Sequence, residues 1–417
     1  MAQLSDDCFA FGGPMMTVAE AKSLIRERLR PVGGIETVAL YEADGRILAE
    51  DIAAPLDLPP FANSAVDGYA IDGASIPTES EAAFTVSGPV QAGTSPERLD
   101  AGSAARIFTG APMPENADTV YMQEDVRLNA GNFVHLPVGL TRGSNARPAG
   151  EDVARGDTIL SAGRRLRPQD IALTAAFGLT HLRVRTRVRV AIFSTGNELV
   201  EPGETRGRAQ LFDSNRAMLM AMARRLGAEV TDLGILRDDR ATIADALVGA
   251  AREHDIILTS GGVSTGDADF VKDALQATGS LVLWRIAIKP GRPVVMGVVA
   301  GTPLIGLPGN PVASFVTFAH VARPAILALA GGEATAGLTL PVRAAFAYRK
   351  KKDRREYVRA SIRTGSDGLP EAVKFPREGA GLISSLVGTD GLVELPEELR
   401  EVAAGDTVSF IPYDTLF

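Results

Sequence analysis

The stretch from Asp255 to Pro311 constrains this chain more than any other. It opens with a short apolar run, Ile256 to Leu258, of the length expected for a buried strand. The run feeds Gly261-Gly262, then Ser264, Thr265 and Gly266, then Asp267 and Asp269, after which Phe270, Val271 and Leu275 take up helical spacing. In an open α/β sheet, a strand followed by a glycine turn and a helix N-terminus marks a ligand-binding edge, and free N–H groups there favour an anion. Two aspartates in the same turn would repel that anion. The conflict disappears if a divalent cation lies between the carboxylates and phosphate oxygens, as Mg²⁺ commonly does. Downstream, Trp-Arg-Ile-Ala-Ile-Lys-Pro-Gly-Arg-Pro supplies Arg285, Lys289 and Arg292, and Gly306-Leu-Pro-Gly-Asn-Pro311 opens another helix. The expectation is a Mg²⁺-assisted site for a phosphorylated substrate.

The surrounding block alternates strands with helices. Strands are expected at Val188–Phe193, Val230–Ile235, Ile256–Leu258, Val282–Ile288 and Val294–Val298, with helices at 215–226, 240–253, after Asp267 and after Asn310. This alternation implies right-handed crossovers and a parallel sheet covered on both faces. Four turns, 194–198, 237–239, 260–269 and 289–292, then carry polar groups to one edge. Capping explains one of Asp238 and Asp239, and one of Asp267 and Asp269. Two carboxylates on each of two adjacent turns exceed that need. Glu198 fits plain surface equally well. A lone Lys289 would read as solvated. Together with Arg292 and with Arg285, four residues earlier and on the same strand face, it reads as a cationic set suited to oxyanions.

A chain of 417 residues calls for two to four domains. A net charge of −8 without a basic face argues against nucleic acid. Cys8 is the only cysteine, and the four histidines are far apart, so any metal should be hard and oxygen-bound. The N-terminus lacks the pattern of a signal peptide. The apolar segment Pro311–Ala330 contains His320, Arg323 and Pro324 and reads as a kinked buried helix. No membrane partner and a cytoplasmic location are therefore expected.

Thr17-Val-Ala-Glu20 reads as a capping box for the first helix, and a second short helix is expected over Arg46–Glu50. The segment Pro55 to Ala70, with Asn63, Ser64, Asp67 and Gly68 between Phe61 and Tyr69, fits a ligand-facing loop and an ordinary turn equally well. Short strands broken by Gly and Pro fill 83–160, and Thr109-Gly-Ala-Pro and Ala149-Gly-Glu-Asp152 make further polar turns there. After Gly332 come strands at Thr339–Ala347, Tyr357–Ile362, Gly391–Leu395 and Thr407–Ile411. The run Arg349 to Arg355 reads as a solvated hairpin tip.

Six motifs occur in order: Pro-Pro-Phe-Ala-Asn-Ser-Ala-Val-Asp-Gly-Tyr-Ala, Phe-Thr-Gly-Ala-Pro-Met-Pro, Ser-Thr-Gly-Asn-Glu-Leu, Ser-Gly-Gly-Val-Ser-Thr-Gly-Asp-Ala-Asp, Ile-Lys-Pro-Gly-Arg-Pro and Leu-Pro-Gly-Asn-Pro. Over roughly residues 17 to 417 the chain resembles the molybdenum insertases, the MoeA-type molybdopterin molybdenumtransferases, and is similar to the gephyrin E domain. The resemblance implies a multidomain α/β fold. An N-terminal helical and β portion would cover 17–54 with 142–183, and an inserted β-rich domain 55–141. A molybdopterin-binding-like α/β domain would cover 184–332, and a small β-barrel-like domain 333–417.

It also implies a homodimer and a reaction in which adenylylated molybdopterin and molybdate give molybdenum cofactor and AMP with Mg²⁺ assisting. The implied catalytic positions are Asp67, Thr109, Asp152, Glu198, Asp238, Asp269 and Lys289. Glu198, Asp238 and Asp269 would hold or orient Mg²⁺. Gly261, Gly262, Ser264, Arg285, Arg292, Pro308, Asn310 and Pro311 would line the ligand site. Many relatives have lysine at the positions of Arg285 and Arg292, and arginine substitutes a planar fork for a point charge. The implied cleft lies between the α/β domain of one subunit and the inserted domain of the other. A molybdopterin adenylyltransferase and recipient molybdoenzymes are the implied protein partners. Two alternatives stay open: a non-catalytic binding scaffold on the same fold, and a molybdopterin adenylyltransferase.

Overall fold

The computed structural model describes residues 15–263, 270–332 and 338–416, and for 281–285 the backbone alone. Ser264 and Asp269 lie outside the described residues, as do Cys8 and the side chain of Arg285.

The centre of the chain is a six-stranded sheet. Its strands, in spatial order, are Glu229–Leu236, Arg189–Thr195, Ile256–Ser260, Thr302–Leu307, Pro293–Val299 and Gly279–Arg285. The first four run parallel; the last two are antiparallel to their neighbours. The expected all-parallel sheet is thus corrected to a mixed one. The reason is local: Ala300 and Gly301, both with positive φ, fold Pro293–Val299 back on Thr302–Leu307 as a hairpin, and a two-residue link permits no parallel crossover. Thr302–Leu307 itself escaped the sequence reading, since Thr-Pro at its start resembles a turn. Buried residues line both faces. Ile192, Leu258 and Ile305 pack under helix Asn215–Arg225 on one side, while Phe193, Ile257 and Leu304 pack under Arg240–Glu253 and Phe270–Thr278 on the other.

The helical segment Pro311–Leu329 is long and apolar enough to cross a membrane, but its apolar window is 89% buried inside the fold. A π-helical turn, Phe318–Ala322, lies just before Pro324, where the missing N–H interrupts regular α-helical bonding. The first helix, Val18–Arg28, packs on this segment. Its Thr17–Glu20 capping box forms as expected, and Val18, Ala21 and Ile25 join the same core.

A second six-stranded sheet carries Thr119–Met122, Gly68–Ile71, Ser103–Ile107, Ala82–Val90, Phe133–Leu136 and Arg127–Leu128, with its own apolar clusters on its two faces. The expected helix at Arg46–Glu50 is not formed. Ile47 and Leu48 instead bridge to Arg165 and Val184, because burial of both side chains between strands outweighs weak helix propensity.

The C-terminal strands Arg355–Thr364, Pro370–Lys374, Leu340–Ala344, Thr407–Pro412 and Gly391–Leu395 close into a five-stranded barrel. The short strand Ile288–Lys289 adds to it in parallel, with Lys289 in register with Glu356. The expected strand Val282–Ile288 is therefore two strands in two sheets, and Arg285 and Lys289 do not share a strand face. The Arg349–Arg355 run is not a solvated tip throughout. Lys350 is buried, its ammonium donating to the carbonyls of Lys351, Glu397 and Leu399, and Arg355 pairs with Glu394 and Glu397.

Where the long helix meets the barrel, the rings of His320 and Tyr357 stack at 4.1 Å. Burial first, then the charges of Lys22, Arg355 and Arg323, hold His320 well below its ordinary pKa of 6.5. The unfolded chain therefore takes up this proton first, so stability from neutral His320 is present above pH ~6.5 and is lost as the pH falls. Urea melts should show this residue removing up to about 2 kcal/mol between pH 7 and pH 5. The His320→Phe variant should narrow that gap while keeping the ring stack.

Candidate functional site

The carboxyl ends of the four parallel strands lie along one edge and deliver turns 195–198, 237–239, 261–263 and 306–311 to it. Asp238 joins the first two. Its Oδ1 accepts from Thr195 Oγ1 at 2.7 Å and its Oδ2 from the Asn197 N–H at 3.2 Å. Asp239 does the capping, accepting from the Thr242 N–H at 2.8 Å, and those Thr242 bonds hold its carboxyl below the usual range. Glu198 is exposed and folds back over the turn; a β-carbon at Gly196 would sit 2.7 Å from its carboxylate.

The third and fourth turns are packed together. The Gly261 N–H donates to the Leu307 carbonyl at 3.0 Å, and a β-carbon on Gly309 would lie 3.8 Å from the Gly261 Cα. Asn215 clamps them: its Nδ2 donates to Ser260 Oγ at 2.9 Å and to the Gly309 carbonyl at 2.7 Å. Its Oδ1, together with Ser194 Oγ and Thr259 Oγ1, is buried without a hydrogen-bond partner among the described residues.

Lys289 faces a cavity of about 330 Å³ between the 306–311 turn and the barrel. Four cations, Lys289, Arg359, Lys374 and Arg377, line it against two carboxylates, Glu356 and Glu378. Lys289 Nζ donates to Tyr348 Oη at 2.9 Å and to Glu356 Oε2 at 3.1 Å. Partial burial lowers its proton affinity, but those two bonds outweigh it and raise the pKa above the ordinary lysine value. Burial pushes Glu356 up, yet hydrogen bonds from Tyr348, Lys289 and Arg354 bring it below the ordinary carboxylate value.

Pro308 and Asn310 line this cavity too, whereas Glu198, Asp238, Arg292 and Pro311 do not. Arg292 is exposed and Pro311 begins the long helix. The acidic turns and the lysine cavity are therefore neighbours across the 306–311 turn and do not share one pocket.

Glu198 and Asp238 present hard oxygen donors beside one turn, which suits Mg²⁺ coordinated by one or two carboxylates and completed by water and phosphate. Among the described residues, no group of three or more His, Cys, Asp or Glu side chains could hold a metal. Asp269, the expected third ligand, lies outside the described residues.

Asp67 and Thr109 meet in the second sheet domain, where Asp67 Oδ1 accepts from the Thr109 N–H at 2.8 Å and its Oγ1 at 2.7 Å. These two bonds lower the Asp67 pKa. Thr109 is exposed, and Asp152 is exposed beside the Leu58 turn, to which its N–H donates. Neither they nor Asp67 line the lysine cavity. Sequence reasoning missed Asn215, Tyr348, Glu356, Arg359 and Lys374. Asn215 reads as part of a helix start, and Tyr348 and Glu356 reach Lys289 across 59 and 67 residues, beyond any local pattern.

Three family models match the chain: "MoeA N-terminal region (domain I and II)" over residues 16–178, "Probable molybdopterin binding domain" over 191–328, and "MoeA C-terminal region (domain IV)" over 341–413. The chain is 35% identical over 412 residues to a molybdopterin molybdenumtransferase of Haemophilus influenzae, covering 96% of this chain and all of that one. It is 34% identical over 411 residues to molybdopterin molybdenumtransferase 2 of Mycobacterium tuberculosis, covering 94% and 98%. Among solved structures it resembles a molybdopterin biosynthesis MoeA protein of Pyrococcus horikoshii with a TM-score of 0.80, at 29% identity over 96% of this chain and all of that one.

Gly261 has φ +88°, and a β-carbon there would lie 2.7 Å from the Thr195 carbonyl. Gly261→Ala should therefore cost more than about 1 kcal/mol in denaturant melts, with a measurable loss of activity.

Proposed function

The chain belongs to the MoeA family of molybdopterin molybdenumtransferases, and from that premise we propose that it transfers molybdate to adenylylated molybdopterin, forming molybdenum cofactor and releasing AMP with Mg²⁺ assistance. The observation that carries this reading is the lysine cavity. Four cations against two carboxylates suit a small dianion, and the cavity adjoins the turns suited to the larger phosphorylated ligand. The Gly261 N–H is taken up by the Leu307 carbonyl, so in the turn packed on 306–311 it is the Gly262 N–H that would donate to an anhydride oxygen at the sheet edge. Asn215 and Asp238 keep those turns in place through the bonds described above.

A bound Mg²⁺ would neutralise charge on the phosphate oxygens, with Glu198, Asp238 and Asp269 as the holding groups. Lys289 holds the oxyanion by a charge-assisted hydrogen bond. Arg292, exposed at the neighbouring turn, and Arg285 would attract the anions. In the assembled enzyme, a homodimer, the Asp67–Thr109 turn and Asp152 of one copy would close the site of the other. An adenylyltransferase would supply the substrate and molybdoenzymes would take the product.

Purified chain given adenylylated molybdopterin should release AMP only when molybdate and Mg²⁺ are both present. Equal release with EDTA and no molybdate would overturn the reading. Lys289→Ala should lower kcat/KM for molybdate by about 10- to 100-fold, the worth of one hydrogen bond to a charged group.

A further inference from the structure

An ammonium has three N–H bonds. In Lys289 two are committed, to Tyr348 Oη and Glu356 Oε2, which leaves one for the cavity. Both acceptors belong to the C-terminal domain: Glu356 lies on a barrel strand and Tyr348 packs into the barrel's apolar core. Glu356 is only 1% exposed and is itself fixed, accepting from the Tyr348 hydroxyl at 2.8 Å and from Arg354 Nε at 2.7 Å. The backbone adds a further constraint, because Lys289 and Glu356 are register partners in parallel strands. The lysine is thus aimed from the barrel twice, through its main chain and through its ammonium.

We propose that Glu356 is a positioning residue for oxyanion binding: with Tyr348 it holds the Lys289 ammonium charged and directed into the cavity, so that the C-terminal barrel sets affinity for the anion. Its assignment to molybdate rests on the function proposed above. The charged and titratable groups around Lys289 are Tyr348 and Glu356 in contact, Arg354 behind Glu356, and Tyr357, Arg359, Lys374, Arg377 and Glu378 around the cavity wall. Glu378 is engaged by Lys374 at 3.1 Å, and Arg359 donates to the Gly379 carbonyl at 2.7 Å. Glu356 is therefore the carboxylate that offsets the neighbouring cations at Lys289. Without it, burial and those cations would favour loss of the lysine proton, with only the Tyr348 bond opposing them.

Charge counting and positioning predict opposite signs. Removing a carboxylate makes the cavity more positive, so counting alone predicts tighter anion binding in Glu356→Gln. Positioning predicts weaker binding, because the ammonium loses its orientation and, at alkaline pH, its charge.

The test compares wild type, Glu356→Gln and Tyr348→Phe by direct titration with molybdate and by kinetics across pH. Glu356→Gln should raise the molybdate Kd and KM about tenfold, the worth of one charge-assisted hydrogen bond. Its kcat and its KM for adenylylated molybdopterin should stay within about twofold of wild type, and the alkaline limb of binding should move to lower pH. Tyr348→Phe should raise the molybdate KM less, since it removes one bond and no charge. Unchanged or tighter molybdate binding in Glu356→Gln would overturn the proposal, as would equal rises in KM for both substrates with no shift of the alkaline limb. If Glu356→Gln does not fold, an unchanged Kd in Tyr348→Phe overturns it. Wild type that binds molybdate but releases no AMP would sink the proposed function and leave the titrations to judge the positioning.

Discussion

The contact between two glycine turns organises this molecule. The Gly261 amide reaches the Leu307 carbonyl, Gly309 lies against Gly261, and Asn215 donates to both sides of the seam. Glycine is required at 261, where φ is +88° and a β-carbon would lie 2.7 Å from the Thr195 carbonyl, and the register of Ser260 with Leu307 places the two turns side by side. The rest of the site is referred to this seam. The 195–198 turn packs behind Gly261, Asp238 ties that turn to the start of the next helix, and Pro308 and Asn310 carry the seam to the lysine cavity.

The barrel is more than an appendage. It completes the environment of Lys289, whose main chain it holds by strand pairing and whose side chain it holds by a buried carboxylate. Cations and acidic turns are thereby kept apart across the 306–311 turn. That separation has a physical use: a carboxylate adjacent to an anion cavity weakens it, unless the carboxylate is already consumed in holding a cation in place. Glu356 is consumed in that way.

Much of the fold was legible. The Thr17–Glu20 capping box, the buried run at Ile256–Leu258 and the Asp239 cap are local features, encoded within a few residues of where they act. The errors share one cause. Ile47–Leu48, Thr302–Leu307 and the divided Val282–Ile288 segment took their conformations from partners distant in sequence. The buried part of the Arg349–Arg355 run is another case, since a lysine at position 350 is solvated by default and becomes buried only when three carbonyls converge on it.

For the site, the sequence by itself determined which chemistry could be present: the glycine turns, the acidic pair at 238–239 and the lysine before Pro290, because spacing and residue type reveal turns and charges. The tertiary structure alone decided what each charge faces. It set Asp238 to a threonine and an asparagine of another turn, and Lys289 to a glutamate and a tyrosine of another domain. Charge–charge and hydrogen-bond energies depend on distances of a few ångströms, and those distances are fixed by how sheet and barrel pack rather than by order along the chain.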